Sequence, residues 1–311
     1  MNDQPESSAA ARSAGPARSP EAPLGARGGV RGYHTHSFVP HTGTVFDNTR
    51  QEFYEGKWPE PDYSAGSLRN WLVRKQRFFL QRLPRSADAR VLDLGCGGGW
   101  QLFARTGRVV GVDMSHQSLI GARSIYHGAA VGDLAALPFA DNSLDLVVSS
   151  DVIGHIPIEY KQQAIREVYR VLRPGGRTIH YIEAEGDDPL TRFAKRDPAL
   201  YQRYIIGPEG HEGIESPEAT FARFRKEGFR PVREVAAYRL VMYAGRAVQL
   251  YDNEYARRSR LLGLAVGLCK VLTRNRFLEI GANLGIAALL EVTDRVLPPS
   301  WGNGVMVEYV K

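Results

Sequence analysis

The chain contains few cysteines and no long hydrophobic segment. Its 311 residues include only two cysteines, Cys96 and Cys269, which excludes a disulfide framework. Neither cysteine has the spacing of metal ligands or an obvious activating partner, so we expect inert thiols and no metal site. The longest apolar run, residues 261–272, is interrupted by Lys270 and is too short to span a bilayer. Residues 1–30 also lack an apolar stretch, so no signal peptide is expected and a cytoplasmic location follows.

A short apolar strand runs directly into a glycine-rich loop. Gly95, Gly97 and Gly99 follow Asp93 at alternate positions, and Asp113 ends a second apolar strand. Glycines let a backbone turn sharply beside a ligand, and a carboxylate after the next strand can accept hydrogen bonds from ribose hydroxyls. This pattern predicts the nucleotide-binding edge of a parallel α/β sheet.

The spacing of the glycines indicates which nucleotide is bound. The Gly-x-Gly-x-x-Gly pattern of dinucleotide-binding proteins needs a third glycine at the position where this chain has Trp100. The carboxylate of Asp93, two residues before Gly95, would lie badly beside a pyrophosphate. It would lie well beside the cationic amino and sulfonium groups of S-adenosylmethionine. The spacing therefore disfavours a nicotinamide-dependent oxidoreductase.

Helical and strand patterns alternate through the middle of the chain, which predicts a doubly wound, mostly parallel α/β sheet. We expect strands at 129–131, 144–148 and 178–183, and an antiparallel final pair at 232–241 and 304–310. Helices are expected at 70–83, from an N-cap at Ser115 to about Tyr126, at 159–172 before Pro174-Gly175-Gly176, and from Ser216 onward. Residues 185–215 read as an irregular stretch at the carboxyl edge of the sheet.

These segments resemble the class I S-adenosylmethionine-dependent methyltransferases, in particular the methyltransferase-11 group, which acts on small molecules and lipids. Five motifs carry the resemblance, in order and at family-like spacing: VLDLGCGGG (91–99), GVDMS (111–115), GDLAALPF (132–139), NSLDLVVSS (142–150) and REVYRVLRPGG (166–176). The resemblance implies a seven-stranded Rossmann-like methyltransferase fold with an N-terminal helical cap and a C-terminal helical insertion. It also implies a methyltransferase that uses S-adenosylmethionine and releases S-adenosylhomocysteine.

The resemblance further implies the residues that hold the cofactor. Asp93 would order the glycine loop and interact with the methionine amino group, and Ser150 would contact the methionine end. The loop itself would let the backbone approach the cofactor through Gly95, Cys96, Gly97 and Gly99. On the adenosine side, Asp113 would bind the ribose and Met114 would lie against the adenine face. Asp133 would accept from the adenine amino group, with Leu134 beside the ring.

Methyl transfer needs a general base only when the acceptor is protonated at the moment of attack. The candidates near the carboxyl edge are His155, His211, Glu183 and Asp151, of which a histidine is the natural choice near neutral pH. We expect His155 and His211 to be the catalytic pair, although an imidazole that merely fixes its loop explains His155 equally well. His180 lies inside a strand and is expected to be a core histidine.

The sequence suggests five segments. These are a disordered tail (1–32), an N-terminal cap (33–87), the cofactor-binding core (88–250), a helical insertion (251–300) and a final edge strand (301–311). Within the cap, Tyr54 or Trp58 would either close the site or anchor the core. Residues 256–276 are rich in basic side chains. This segment would contact an anionic membrane surface, bind a phosphorylated substrate, or form a helical pair whose apolar face packs on the sheet and whose charges are solvated.

The net charge of +6 and pI of 9.3 raise the question of a nucleic-acid substrate. No Asn-Pro-Pro-Tyr, Asp-Pro-Pro-Tyr or Pro-Cys sequence is present, so nucleic acid is disfavoured. The favoured function is methyl transfer to oxygen, nitrogen or carbon of a small or lipid-linked metabolite. The alternatives are an RNA-directed methyltransferase and a non-catalytic module of the same fold that binds the cofactor or regulates a partner.

Overall fold

The computed structural model describes residues 70–84, 86–240 and 243–311, with side chains from residue 74 onward. The expected disordered tail and the part of the cap before residue 70, including Tyr54 and Trp58, lie outside the described residues.

The core is a seven-stranded sheet with the order β3-β2-β1-β4-β5-β7-β6. Its strands are β1 (Arg90–Leu94), β2 (Arg108–Asp113), β3 (Gly128–Val131), β4 (Leu144–Ser150), β5 (Leu172–Glu183), β6 (Arg230–Ala237) and β7 (Gly304–Val310). The first five are parallel, and β7 runs antiparallel between β5 and β6. This confirms the predicted doubly wound, mostly parallel sheet.

Eleven α-helices are assigned within the described residues. They are α1 (Asn70–Leu80), α2 (Gln101–Ala104), α3 (Leu119–Ile125), α4 (Ile158–Val171), α5 (Pro189–Ala194), α6 (Pro198–Tyr201), α7 (Pro217–Lys226), α8 (Ala244–Tyr251), α9 (Glu254–Arg258), α10 (Arg260–Thr273) and α11 (Arg276–Val296). Short 3-10 turns lie at Ile153–His155 and Pro299–Trp301, and a π-turn lies at Gln202–Ile206.

Parallel pairing brings the carboxyl ends of the inner strands to one edge of the sheet. Asp93 pairs with Gly111 in β2 and with Val148 in β4. Asp113 and Glu183 are the last residues of β2 and β5. Ligands of open α/β sheets bind outside these carboxyl ends, so the fold gathers the candidate residues of widely separated motifs at one place.

Several element boundaries differ from the sequence-based expectation. Helix α3 begins at Leu119, because Ser115 caps only the preceding turn, where its hydroxyl accepts from the Ser118 amide at 3.1 Å. Helix α4 ends at Val171, three residues before Pro174, and β5 begins immediately afterwards. Strand β6 ends at Ala237, because Tyr238 adopts a left-handed backbone with φ of 58°.

Residues 185–215 were expected to be irregular, and this expectation is wrong. The segment contains α5, α6 and the π-turn. Asp188 accepts from the amides of Leu190 and Thr191, and Asp197 accepts from the amide of Leu200. Each aspartate precedes a proline at the first helical position, which is a favoured start for a helix. The two Asp-Pro pairs were the signal for these short helices.

The helices between β6 and β7 leave an apolar face exposed. Leu261, Leu264, Leu268 and Val271 in α10 are 54–81% exposed, and Phe277 at the start of α11 is 81% exposed. The alternative in which the apolar face of this segment packs on the sheet is therefore wrong for α10. Only part of α11 reaches the core, where the buried Leu290 and the half-buried Ile286 pack. No helix in the described part of the chain is long and apolar enough to cross a membrane.

Candidate active site

The glycine loop after β1 is held in place by Asp113. Gly95, Gly97 and Gly99 all adopt positive φ values, of 66°, 50° and 84°, which favour glycine strongly over other residues. The Asp113 carboxylate accepts from the Gly97 amide and, through its other oxygen, from the Ser115 amide, both at 2.8 Å. One carboxylate therefore joins the glycine loop to the end of β2 and the turn that follows it.

Asp93 is buried beside the loop and has no cationic partner among the residues that the structure describes. Its Oδ2 accepts from the Tyr126 hydroxyl at 2.7 Å, and that hydroxyl in turn accepts from the Trp100 amide at 2.7 Å. Burial raises the pKa of Asp93 to about 8, the Tyr126 hydrogen bond opposes the shift, and the charge of Asp113 adds to it. The site therefore holds a carboxyl group that a nearby cation would ionise.

Cys96 lies in the loop, but its side chain packs against the next strand. Its Sγ occupies the space beside Gly111, where a Cβ on residue 111 would overlap the sulfur. Burial, with the charges of Asp93 and Asp113, raises the pKa of the Cys96 thiol well above its usual value. This agrees with the expected inert thiol and leaves the backbone of Cys96 as its means of contact with a ligand.

Asp133 provides the clearest test of whether the site fits an adenine ring. Its Oδ1 accepts from the Ala135 amide at 2.8 Å, whereas its buried Oδ2 has no hydrogen-bond partner in the structure as described. An orphaned buried acceptor is costly unless a ligand donor reaches it, and the exocyclic amino group of adenine is such a donor. Leu134 and Met114 are both half-buried, and Leu134 packs against the main core cluster.

Ser150 and Asp151 link the end of β4 to α1. The Ser150 hydroxyl donates to Asp151 Oδ2 at 2.6 Å, and the buried ammonium of Lys75 donates to the same oxygen. The Lys75 nitrogen also lies 5.0 Å from the ring centre of Tyr181. Burial raises the pKa of Asp151 to about 6, against the opposing charge of Lys75. Asp151 adopts a left-handed φ of 62°, a strained conformation that is common at functional sites.

The two candidate catalytic histidines lie together. The ring centres of His155 and His211 are 4.7 Å apart, and both Nε2 atoms face Glu183 Oε1, at 3.8 Å and 3.9 Å. Burial lowers the pKa of His211 to about 4. Burial opposes the charged form of His155, but the facing Glu183 outweighs it and raises the pKa of His155. Burial would also raise the pKa of Glu183, but the two imidazoles, His155 foremost, hold that pKa below its usual value.

Close contact between two loops places His211 next to His155. The Gly213 amide donates to the Gly154 carbonyl at 3.1 Å, and a Cβ on Gly213 would overlap the Ile156 carbonyl oxygen. The buried ammonium of Lys161 donates to the Gly213 carbonyl and lies 3.3 Å from Glu215 Oε1. Residue 213 must therefore be glycine for the loop to approach this closely.

His180 has the structural role expected from the sequence. It is fully buried in β5, where Nδ1 lies 2.7 Å from the Ser149 hydroxyl and Nε2 contacts the Thr178 hydroxyl. Burial lowers the pKa of His180 to about 3. It is a neutral core histidine.

Two residues of the site were missed by sequence reasoning. Tyr126 follows the last residue of α3 and reaches Asp93 across the sheet edge. Lys75 lies within the apolar pattern of α1, where a lysine would ordinarily point to solvent. A lysine on the buried side of an amphipathic helix was the available signal, but its partner is 76 residues away in sequence.

Comparisons with known proteins agree with this geometry. The methyltransferase domain family matches residues 92–180. The demethylmenaquinone methyltransferase of Lactiplantibacillus plantarum is 31% identical over an alignment of 196 positions, which covers 54% of this chain and 80% of that protein. This chain therefore belongs to the class I S-adenosylmethionine-dependent methyltransferases. It is a methyltransferase, and S-adenosylmethionine is its methyl donor.

Other relatives share only part of their length with this chain. The arsenite methyltransferase of Aquipseudomonas alcaligenes is 36% identical over an alignment of 138 positions, which covers 38% of this chain and 39% of that protein. The structure of Haemonchus contortus phosphoethanolamine N-methyltransferase 2 with S-adenosyl-L-methionine superposes with a TM-score of 0.47 and 21% identity. That match covers 76% of this chain and 52% of the other.

Replacing Lys75 and replacing Asp151 should lower the free energy of unfolding by different amounts. The side chain of Lys75 is 2% exposed and that of Asp151 is 32% exposed. Asp151→Asn strands a buried ammonium and should lower the free energy of unfolding by roughly 3 kcal/mol, the low end for a broken buried pair. Lys75→Met leaves a carboxylate that reaches solvent and should cost less. Urea unfolding of both variants and the double variant measures the coupling, and costs that are equal and additive would contradict this description.

Proposed function

We propose that the chain transfers a methyl group from S-adenosylmethionine to oxygen, nitrogen or carbon of a small or lipid-linked acceptor. The observation that carries the proposal is the position of its carboxylates along one sheet edge. Asp133 lies after β3, Asp113 ends β2 and Asp93 lies in β1, in the spatial order β3-β2-β1. This order matches the adenine, ribose and methionine parts of the cofactor.

Each cofactor contact follows from the local chemistry. The orphaned Asp133 oxygen would accept from the adenine amino group, with Met114 and Leu134 beside the ring. Asp113 would accept from the ribose hydroxyls while it holds the glycine loop, and Asp93 would ionise beside the methionine amino group. Ser150 would complete the methionine end. Together these contacts align the methyl group and exclude water, while the sulfonium supplies the driving force.

The acceptor would reach the methyl group from the side of β4 and β5. His155 follows β4, Glu183 ends β5, and His211 lies 3.9 Å from the same carboxylate oxygen. We assign His155 and His211 to contact with the acceptor, because their nitrogens converge beyond the methionine end of the site. The region therefore suits an acceptor whose nucleophilic atom can ionise.

The adenine contact can be tested with a single-atom change in the ligand. S-Inosylhomocysteine carries a carbonyl oxygen in place of the adenine amino group of S-adenosylhomocysteine. The wild-type protein should bind the adenine form about tenfold or more tightly, because a charged hydrogen bond of about 1.5–3 kcal/mol is lost with the inosine form. Asp133→Asn should narrow the preference to within about threefold.

Asp141→Asn is the matched control, because Asp141 is 68% exposed and pairs with Arg170 at the surface. Isothermal calorimetry should show the wild-type preference in this variant. A preference that survives Asp133→Asn unchanged would remove Asp133 from the adenine site.

The class of acceptor can be tested with methyl-tritiated S-adenosylmethionine. The full-length protein should label the small-molecule and lipid fraction of a cell extract and leave purified RNA and protein fractions unlabelled. His211→Ala should reduce the labelling on the order of 100-fold, as for loss of a group that activates a nucleophile. His127→Ala, an exposed change, should leave the labelling intact.

Label confined to RNA would favour the RNA-directed alternative, and cofactor binding without label in any fraction would favour the non-catalytic module.

We further propose that the exposed face of α10 and α11 rests on an anionic lipid bilayer. The apolar side chains Leu264, Leu268 and Phe277 are 61–81% exposed, which is unusual for large residues on neighbouring helices. Six exposed basic residues accompany them: Arg257, Arg258, Arg260, Lys270, Arg274 and Arg276. An apolar face with a basic border fits the boundary between acyl chains and anionic headgroups.

Vesicle flotation tests this surface. The protein should float with vesicles that contain anionic lipid and remain unbound with zwitterionic vesicles. Arg274→Gln with Arg276→Gln should weaken binding by about fivefold for each charge, at about 1 kcal/mol each. Phe277→Glu should abolish it. Val232→Glu, at an exposed position in β6, is the control and should bind as the wild type does. No flotation with either lipid would contradict the proposal.

A further inference from the structure

Three Lewis-basic groups from distant segments converge beside the cofactor site. They are the imidazoles of His155 and His211 and the carboxylate of Glu183, which we call the triad. One potential ligand atom from each residue lies within 4.8 Å of the other two. Two histidines and one carboxylate form a ligand set that proteins use for zinc and for non-haem iron, with further coordination positions left open.

The spacing of the triad is close to that of a metal coordination shell. Bonds of about 2.1 Å in tetrahedral geometry place ligand atoms about 3.4 Å apart. Both histidine Nε2 atoms lie within half an ångström of this separation from Glu183 Oε1, at 3.8 Å and 3.9 Å. Small side-chain rotations would therefore complete three bonds to one ion.

The surroundings orient His155 as a ligand. Its Nδ1 lies 3.2 Å from the Gly210 carbonyl oxygen and donates to it, so Nε2 is the nitrogen that faces Glu183. Histidine ligands of metals commonly donate their other nitrogen to a backbone carbonyl in this way. The Gly213 contact with Gly154 holds the loop that carries both Gly210 and His211.

Glu183 supplies an independent indication of a missing ligand. Its Oε2 is buried and has no hydrogen-bond partner among the described residues. Nearby, the charge of Asp151 is balanced by Lys75. The charge of Glu183 faces the two imidazoles and favours the protonated form of His155, and a bound metal ion would take the place of that proton. A buried carboxylate oxygen without a donor is costly, and a metal ion bound between the carboxylate and the two imidazoles would compensate that cost.

We propose that His155, Glu183 and His211 bind one divalent transition-metal ion, which takes an oxygen atom of the methyl acceptor at an open coordination position. The metal site itself stands on the geometry of the triad, whereas its use for the acceptor rests on the proposed function. An acceptor that carries a hydroxyl or enol oxygen is the class that such a site would take, because a divalent ion favours the ionised oxygen.

Cobalt titration of the full-length protein tests the site without any acceptor. Co²⁺ should bind with a stoichiometry of one, produce visible absorption bands typical of nitrogen and oxygen ligation, and be displaced by Zn²⁺. Glu183→Gln and His211→Ala should each weaken Co²⁺ binding on the order of 10- to 100-fold. Retained binding of S-adenosylhomocysteine shows that each variant is folded.

Control variants separate the triad from the remaining histidines. His116→Ala and His127→Ala change exposed residues and should leave the cobalt spectrum unchanged. Joint replacement of His34, His36 and His41 by alanine removes the other clustered histidines of the chain and should also leave it unchanged. Absence of the absorption bands, or bands that persist in Glu183→Gln and His211→Ala, would overturn the metal site. If the wild-type protein binds no Co²⁺ but still transfers methyl groups, the metal proposal fails and the proposed function stands.

Discussion

The buried carboxyl group of Asp93 is the constraint on which the cofactor site depends. Asp93 lies in the central strand β1, and its carboxylate accepts from the Tyr126 hydroxyl, which in turn accepts from the Trp100 amide. Burial raises the pKa of Asp93 to about 8. In the ligand-free chain its pKa is higher than in the unfolded chain. Its contribution to stability is therefore fully present below pH 3.8 and is lost as the pH rises towards 8. A cation bound next to Asp93 would stabilise the ionised carboxylate and lower its pKa. Cofactor binding would therefore offset the free-energy cost of burying this carboxyl group.

The two ends of the site are built in different ways. The cofactor end comes from consecutive strand ends and the turns that follow them, so Asp93, Asp113 and Asp133 each lie within a short motif. The proposed acceptor end depends on contacts between remote segments, such as Lys75 with Asp151 and His211 with Glu183. Variation in these remote segments can change the acceptor while the cofactor chemistry is kept.

This division explains what could be predicted from the sequence. The sheet, its antiparallel last strand and the position of Asp113 followed from local periodicity, glycine spacing and the family resemblance. Tyr126 and Lys75 were missed because their roles depend on partners 33 and 76 residues away. The sequence left open whether the apolar face of α10 is exposed, because an apolar stripe has the same pattern whether protein, lipid or solvent covers it. Convergence of His155, Glu183 and His211 required the close contact at Gly213, which no local pattern encodes.

Calorimetric titration of S-adenosylmethionine at pH 7, in two buffers with different heats of ionisation, tests the central claim most directly. The raised pKa of Asp93 keeps its carboxyl group protonated at pH 7, and the proposed contact places it beside a cation, so binding should release a proton to the buffer. Asp93→Asn should bind without that release. Failure of the wild-type protein to bind, or proton release that persists in Asp93→Asn, would contradict the account.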